Sequence, residues 1–218
     1  MRAFVFHWFC FALLFLLLCT MTTLEKLESL KNRTVGIAGC GGLGSNCAAA
    51  LARTGVTNLI LVDFDTVSRG NLNRQYFFLD QLGKKKVEAL RENLLRINLE
   101  LNIECHDVML DSVSILRLFA GCDVIVEAFD LAEAKEMIVE TVLGKMPEKY
   151  LVSGLGLAGW GGNNKIQESR YGKLIVCGDQ EQEVSEDFPP LAPRVGVVAN
   201  MQANAVLEIL LDVLPLNL

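Results

Sequence analysis

The stretch Gly39-Cys40-Gly41-Gly42-Leu43-Gly44 limits what this chain can fold into more than any other segment. A short apolar run, Thr34-Val35-Gly36-Ile37-Ala38, precedes it and predicts a strand. Ser45 to Thr54 follows it, and its Ala48, Ala49, Leu51 and Ala52 predict a helix with small packing surfaces. Glycines at such a junction let the backbone turn sharply and let helix and strand approach closely. The unpaired N–H groups of the helix start then face any anion in front of them. Asp63 stands about 20 residues after Gly44, at the end of the next apolar run (Asn58 to Asp63), where an acid meets ribose hydroxyls. Gly39, Gly41, Gly42, Gly44 and Asp63 are therefore candidate nucleotide-binding residues. The pattern does not say which nucleotide.

Strand and helix patterns alternate through the rest of the chain. Lys84 to Asn98 has Val87, Leu90, Leu94, Leu95 and Ile97 at helical spacing. Leu101 to His106 and Asp123 to Glu127 predict strands, and Ser112 to Ala120 and Ala132 to Val142 predict helices. Tyr150 to Ser153 is a further strand that runs into a glycine-rich loop, Gly154 to Asn164. Ile166 to Cys177 reads as a β-hairpin, Gln180 to Pro193 as an acidic, Pro-containing crossover, and Val195 to Leu214 as an apolar helix. The expected fold is α/β: a Rossmann-like, mostly parallel sheet with helices on both faces and an antiparallel C-terminal part. Such sheets bind ligands beyond the carboxyl ends of their strands.

Two further clusters decide the chemistry. After Asp63-Phe64-Asp65-Thr66-Val67 come Gly70-Asn71-Leu72-Asn73-Arg74-Gln75 and Gly83-Lys84-Lys85-Lys86. Hydride transfer has no use for Arg and Lys gathered there, whereas stabilising triphosphate charge does. On these residues the chain resembles the E1-like activating enzymes of the ThiF/MoeB/HesA type. The family's G-x-G-G-x-G-S reads as Gly39 to Ser45, its D-x-D-x-V as Asp63 to Val67, its N-L-x-R-Q as Asn71 to Gln75 and its G-x-x-K as Gly83 to Lys86. The similarity runs from about Thr34 to the C-terminus, with later matches at Val152-Ser153-Gly154 and Pro193-Arg194-Val195-Gly196 through Gln202-Ala203. It is nearest to the short ThiF subgroup that activates the thiamine sulfur carrier ThiS.

The resemblance implies ATP-dependent adenylation of the C-terminal glycine of a small ubiquitin-like sulfur carrier ending in Gly-Gly. By position, Gly41, Gly42, Gly70 and Gln75 border the nucleotide, and Asp63 and Asp65 lie on its ribose side. Asn71, Arg74 and Lys86 hold phosphates. Arg74, Lys86 and Asp130 are the expected catalytic set, with Asp130 the Mg²⁺-linked aspartate. Asp130 stands in Glu127-Ala128-Phe129-Asp130, where the family commonly has C-T-D-N. Bland rivals remain for several residues. Arg74 could pair with Asp80, Lys84 and Lys85 read as solvated, and Asp65 could cap a turn. Cys177 is a candidate thiol, because some relatives carry a late catalytic Cys. It ends an apolar strand, where a buried Cys is ordinarily inert. The zinc C-x-x-C pairs of longer relatives are absent, so zinc is not expected. A homodimer is implied. The family's N-terminal Arg, lent by a neighbouring subunit, has only Arg33 as a counterpart.

The acidic balance, a formal net charge of −6, argues against nucleic acid as a partner. Of seven cysteines two lie in the leader, and the five scattered others, Cys40, Cys47, Cys105, Cys122 and Cys177, suit a reducing compartment. The mean hydropathy of +0.35 comes largely from Phe4 to Cys19, which is apolar apart from His7. That leader reads as a secretory signal, a short membrane anchor, or an early start call ahead of a true initiator at Met21. An ATP-consuming enzyme acting on a cytoplasmic carrier disfavours export. The expectation is a residue 1–20 appendage on a cytoplasmic adenylation domain of residues 21–218, with membrane contact only if the leader is real. Rival functions are a relative acting on a molybdopterin carrier, a tRNA-modifying dehydratase, a non-catalytic nucleotide-binding module and, last, an NAD-dependent oxidoreductase.

Overall fold

The computed structural model describes residues 22–182 and 184–211. The apolar leader, Met21 and the last residues of the expected C-terminal helix lie outside the described residues. Six strands form a parallel sheet: β1 (Thr34–Ala38), β2 (Asn58–Val62), β3 (Asn102–His106), β4 (Val124–Glu127), β5 (Tyr150–Gly154) and β7 (Leu174–Gly178). A seventh, β6 (Gln167–Tyr171), closes one edge as the antiparallel partner of β7. The order is β3-β2-β1-β4-β5-β7-β6. The expected α/β class and the antiparallel end are both present.

Alternation along the strands makes two cores. Val124 and Val126 of β4 join Val35 and Ile37 of β1 on the face covered by α2 (Gly42–Thr54), α3 (Lys86–Leu95) and α6 (Ala192–Leu210). Ile125 and Ala38 point to the other face, under α4 (Ser112–Leu118) and α5 (Ala132–Lys145). Phe119 lies over β1 at Gly36, where an added Cβ would press into its ring. Near the start of the described residues, Thr22 caps a helix that the sequence reading did not anticipate, α1 (Thr23–Ser29), through a reciprocal box with Glu25.

Strand order reverses between β1 and β4. The chain leaves β1 toward β2 on one side and leaves β4 toward β5 on the other, so a crevice opens at their carboxyl ends. Two element bounds differ from the sequence expectation at this edge. The helix after β1 starts at Gly42 rather than Ser45, and the C-terminal helix starts at Ala192, with Pro193 in its first turn, rather than at Val195. Propensity marks glycine as a helix breaker and proline as an end, yet both suit a first turn, where N–H groups are free anyway. Gly44 has to be there: a Cβ on it would overlap the Gly39 carbonyl oxygen.

Among the described residues no helix is long and apolar enough to cross a membrane. Gly44→Ala is expected to cost about 2 kcal/mol or more, read as a lower urea midpoint. Gly121→Ala, which meets open space, should stay within about 0.5 kcal/mol of the parent. Equal midpoints for the two variants would contradict this packing.

Candidate active site

The crevice is built from the glycine turn outward. Gly39 holds a left-handed φ of +95° and donates its N–H to the Val62 carbonyl at 2.8 Å, which ties the end of β1 to β2. Gly41 is the N-cap of α2, and the first helical bond runs from Ser45 N–H to the Gly41 carbonyl. The N–H groups of Gly42, Leu43 and Gly44 therefore come before any helical acceptor, at the positive end of a 13-residue helix.

Asp63 is bonded more heavily than its sequence position suggests. One carboxylate oxygen accepts the Cys40 N–H at 2.6 Å, and the other accepts the Asp65 N–H at 2.8 Å. It holds the glycine turn and starts its own turn, while each oxygen keeps a lone pair for a ligand. Asp65, for which capping of the following turn and ligand contact are equal readings of the sequence, makes no side-chain bond to that turn. Asp65 instead meets Lys86, the first residue of α3: Oδ2 lies 2.6 Å from Nζ, and the Asp65 carbonyl accepts the Lys86 N–H. The Lys86 side chain is only 7% exposed, so a charge is held at the rim of the crevice with one carboxylate beside it. Lys84 and Lys85 are more exposed and pair with Glu92 and Asp107.

Arg74 sits over the helix start, its Cγ 3.6 Å from where a Gly42 Cβ would be. Its Nη1 donates to the Gly70 carbonyl and to Asn73 Oδ1, not to Asp80. Partial burial pulls the guanidinium pKa below its ordinary value, and the negative charge of Asp130 pushes the other way. The Asn71 carbonyl accepts the N–H groups of Arg74 and Gln75, and Asn71 Oδ1 accepts from Ser68. Gln75 is buried near Gly41, and its Oε1 has no hydrogen-bond partner. The structure therefore brings Gly39, Gly41, Gly42, Gly44, Asp63, Asp65, Gly70, Asn71, Arg74, Gln75, Lys86 and Asp130 to one edge of the sheet. Arg33 is elsewhere: it pairs within its own chain with Asp123, beside the amino end of β1.

Cys177 does not join the site. It is buried on β7 beside Gly154, and burial pushes its thiol up to about 12. Trp160, exposed in its glycine loop, stacks on Phe188 of the crossover.

Sequence reasoning missed the residues that hold the site in place. Ser45 Oγ donates to the Gly41 carbonyl and accepts the Tyr76 N–H, and Asn46 Nδ2 donates to the carbonyls of Gly42 and Arg74. These two side chains fasten the Arg74 segment to the first turn of α2. Arg194 and Asp179 form a buried ion pair, and Arg194 also donates to the Gly161 carbonyl. The signal for the pair was a charge inside an apolar helix pattern.

A sheet that offers a helix start, an arginine and a paired lysine to one crevice suits transfer of a nucleotidyl group. The class is that of the Rossmann-like adenylyltransferases. A model of the ThiF family matches residues 16–217. Molybdopterin-synthase adenylyltransferase of Escherichia coli (strain K12) is 33% identical over 189 residues, covering 84% of this chain and 75% of that protein. Adenylyltransferase and sulfurtransferase MOCS3 of Caenorhabditis briggsae is 32% identical over 193 residues, covering 84% of this chain but 46% of its own length. Among solved structures, E. coli tRNA N6-threonylcarbamoyladenosine dehydratase, TcdA, in complex with ATP superposes with a TM-score of 0.78 at 21% identity, covering 86% and 89% of the two chains, a likeness of fold. The chain belongs to the ThiF family.

Burial of Cys177 has a direct consequence. With its pKa raised, the thiol stays protonated throughout the neutral range and titrates only as pH approaches about 12. Iodoacetamide at about pH 8 is expected to leave Cys177 unmodified in the native protein and to alkylate it in urea. Rapid native alkylation, read by peptide mass mapping, would restore it as a reactive thiol.

Proposed function

We propose that the protein activates the C-terminal glycine of a small ubiquitin-like sulfur carrier by adenylation with ATP. The observation that carries this reading is Arg74 lying against the N-terminus of α2 and within range of the Asp130 charge, with Lys86 at the same edge. The carrier carboxylate oxygen forms a bond to the α-phosphorus, the bond from that phosphorus to the bridging oxygen of the β-phosphate breaks, and pyrophosphate leaves. Negative charge grows on the phosphate oxygens in this step. The free N–H groups of Gly42 and Leu43, the Arg74 guanidinium and the Lys86 ammonium are in place to take it up without reorganising. Asp63 bonds the ribose with its remaining lone pairs, and Asn71 and Gln75 line the phosphate side. The orphaned Gln75 Oε1 supports a polar ligand against that wall.

The donor set fits magnesium. Asp130 is an exposed carboxylate with no hydrogen-bond partner among the described residues, and this cation needs only one or two carboxylates when phosphates supply the rest. When bound there, the metal neutralises phosphate charge. No group of three or more His, Cys, Asp or Glu side chains able to hold a metal occurs among the described residues.

The carrier type divides into two readings. The motifs resemble the ThiS-activating subgroup, whereas the E. coli relative named above is a molybdopterin-synthase adenylyltransferase. We place the reaction in the cytoplasm and in a homodimer. Arg33, whose side chain is 36% exposed and pairs with Asp123 of its own chain, is not the residue we assign to a neighbour's site.

ATP–pyrophosphate exchange tests the reading. It is expected to require a carrier ending in Gly-Gly, and a ThiS-like and a molybdopterin-type carrier tried separately decide the substrate. Arg74→Ala is expected to lower exchange about 100-fold or more. Exchange that needs no carrier, or that survives Arg74→Ala undiminished, would sink the mechanism.

A further inference from the structure

The charged residue that closes β4 has no part in the chemistry above, yet it is the most heavily bonded side chain near the crevice. Glu127 is fully buried. Its Oε1 accepts the Phe129 N–H at 2.6 Å and the Lys135 ammonium at 2.9 Å. Its Oε2 accepts the same ammonium at 3.0 Å and the Ser153 hydroxyl. Lys135, from the first turns of α5, also donates to the Gly154 carbonyl at 2.9 Å, and Gln202 from α6 donates to the Glu127 carbonyl at 2.9 Å. One carboxylate thus joins β4, β5 and α5 at the strand-order reversal.

What this network grips is the turn 128–130. Ala128 N–H donates to the Ala38 carbonyl at 2.9 Å, and the Ala128 carbonyl faces Gly39, where a Cβ would sit 2.9 Å from its oxygen. Phe129 N–H is held by Glu127. Asp130, the next residue, is exposed and makes no hydrogen bond among the described residues, so nothing on its own side chain fixes it opposite Arg74. A buried ion pair adds little stability over apolar residues of the same volume, which makes stability a weak reason for one here.

We propose that Glu127 and Lys135 are positioning residues that hold the 128–130 turn, and through it the Asp130 carboxylate, in register with the phosphate end of the site. The proposal rests on the role given to Asp130 above. Lys135→Met leaves Glu127 a buried charge without its cation, and the turn loses its anchor. Lys135→Arg restores the charge.

The test is calorimetric binding of a non-hydrolysable ATP analogue to the whole protein, with magnesium and with EDTA, alongside melting curves. Asp130→Asn is expected to abolish the gain in affinity that magnesium brings. Lys135→Met is expected to cut that gain about ten-fold, to leave binding in EDTA unchanged, and to be rescued by Lys135→Arg. In the double variant Lys135→Met with Asp130→Asn, no loss beyond that of Asp130→Asn is expected. Additive losses, or equal weakening with and without magnesium, would overturn the positioning role while leaving the role of Asp130 intact. A full magnesium gain in Asp130→Asn would instead overturn the metal assignment itself. If Lys135→Met melts at the assay temperature, Ser153→Ala removes one bond to Oε2 without stranding a charge and carries the same expectations at smaller size.

Discussion

The approach of the α2 start to the end of β1 is the constraint on which the site depends. Gly44 meets the Gly39 carbonyl with no room for a side chain, and Gly39 turns left-handed against Ala128. That contact aims the free N–H groups of α2 across the strand-order reversal. It also sets the distance from α2 to the Arg74 segment, because Ser45 and Asn46 hold that segment from the first turn of the same helix. A shift of α2 therefore moves anion donors and arginine together.

Charges at this edge fall into two groups. At the rim, a half-exposed Asp65 stands beside the Lys86 ammonium, and Arg74 feels the charge of the exposed Asp130 without pairing to it. Beneath it, Asp179–Arg194 is a buried pair, and the fully buried Glu127 carboxylate meets a partly exposed Lys135. Buried pairs of this kind are costly to break one partner at a time.

Most of the fold was legible in the sequence because strand and helix patterns alternate cleanly and the glycine turn marks their first junction. The candidate site was legible where residue type and order carry it, as with Gly39 to Gly44, Asp63, Arg74, Lys86 and Asp130. Pairings were not. Nothing in the order of residues says that Asp63 accepts the Cys40 N–H, or that Lys86 spends its charge on Asp65. Glu127 ends an apolar run and could have been flagged as a buried charge. Its partners Lys135, Ser153 and Gln202 come from three other elements, and only the folded topology brings them together. The start of α2 was misplaced for a simpler reason, since glycine propensity says nothing about how tightly a strand end must be approached.

Covalent modification of the carrier tests the central claim most directly. Mass spectrometry of a Gly-Gly carrier incubated with this protein, ATP, magnesium and pyrophosphatase is predicted to show one AMP on the carrier's C-terminal carboxyl, released by hydroxylamine. A carrier that stays unmodified while ATP is consumed, or that gains a phosphate while ADP forms, would contradict adenylation at this site.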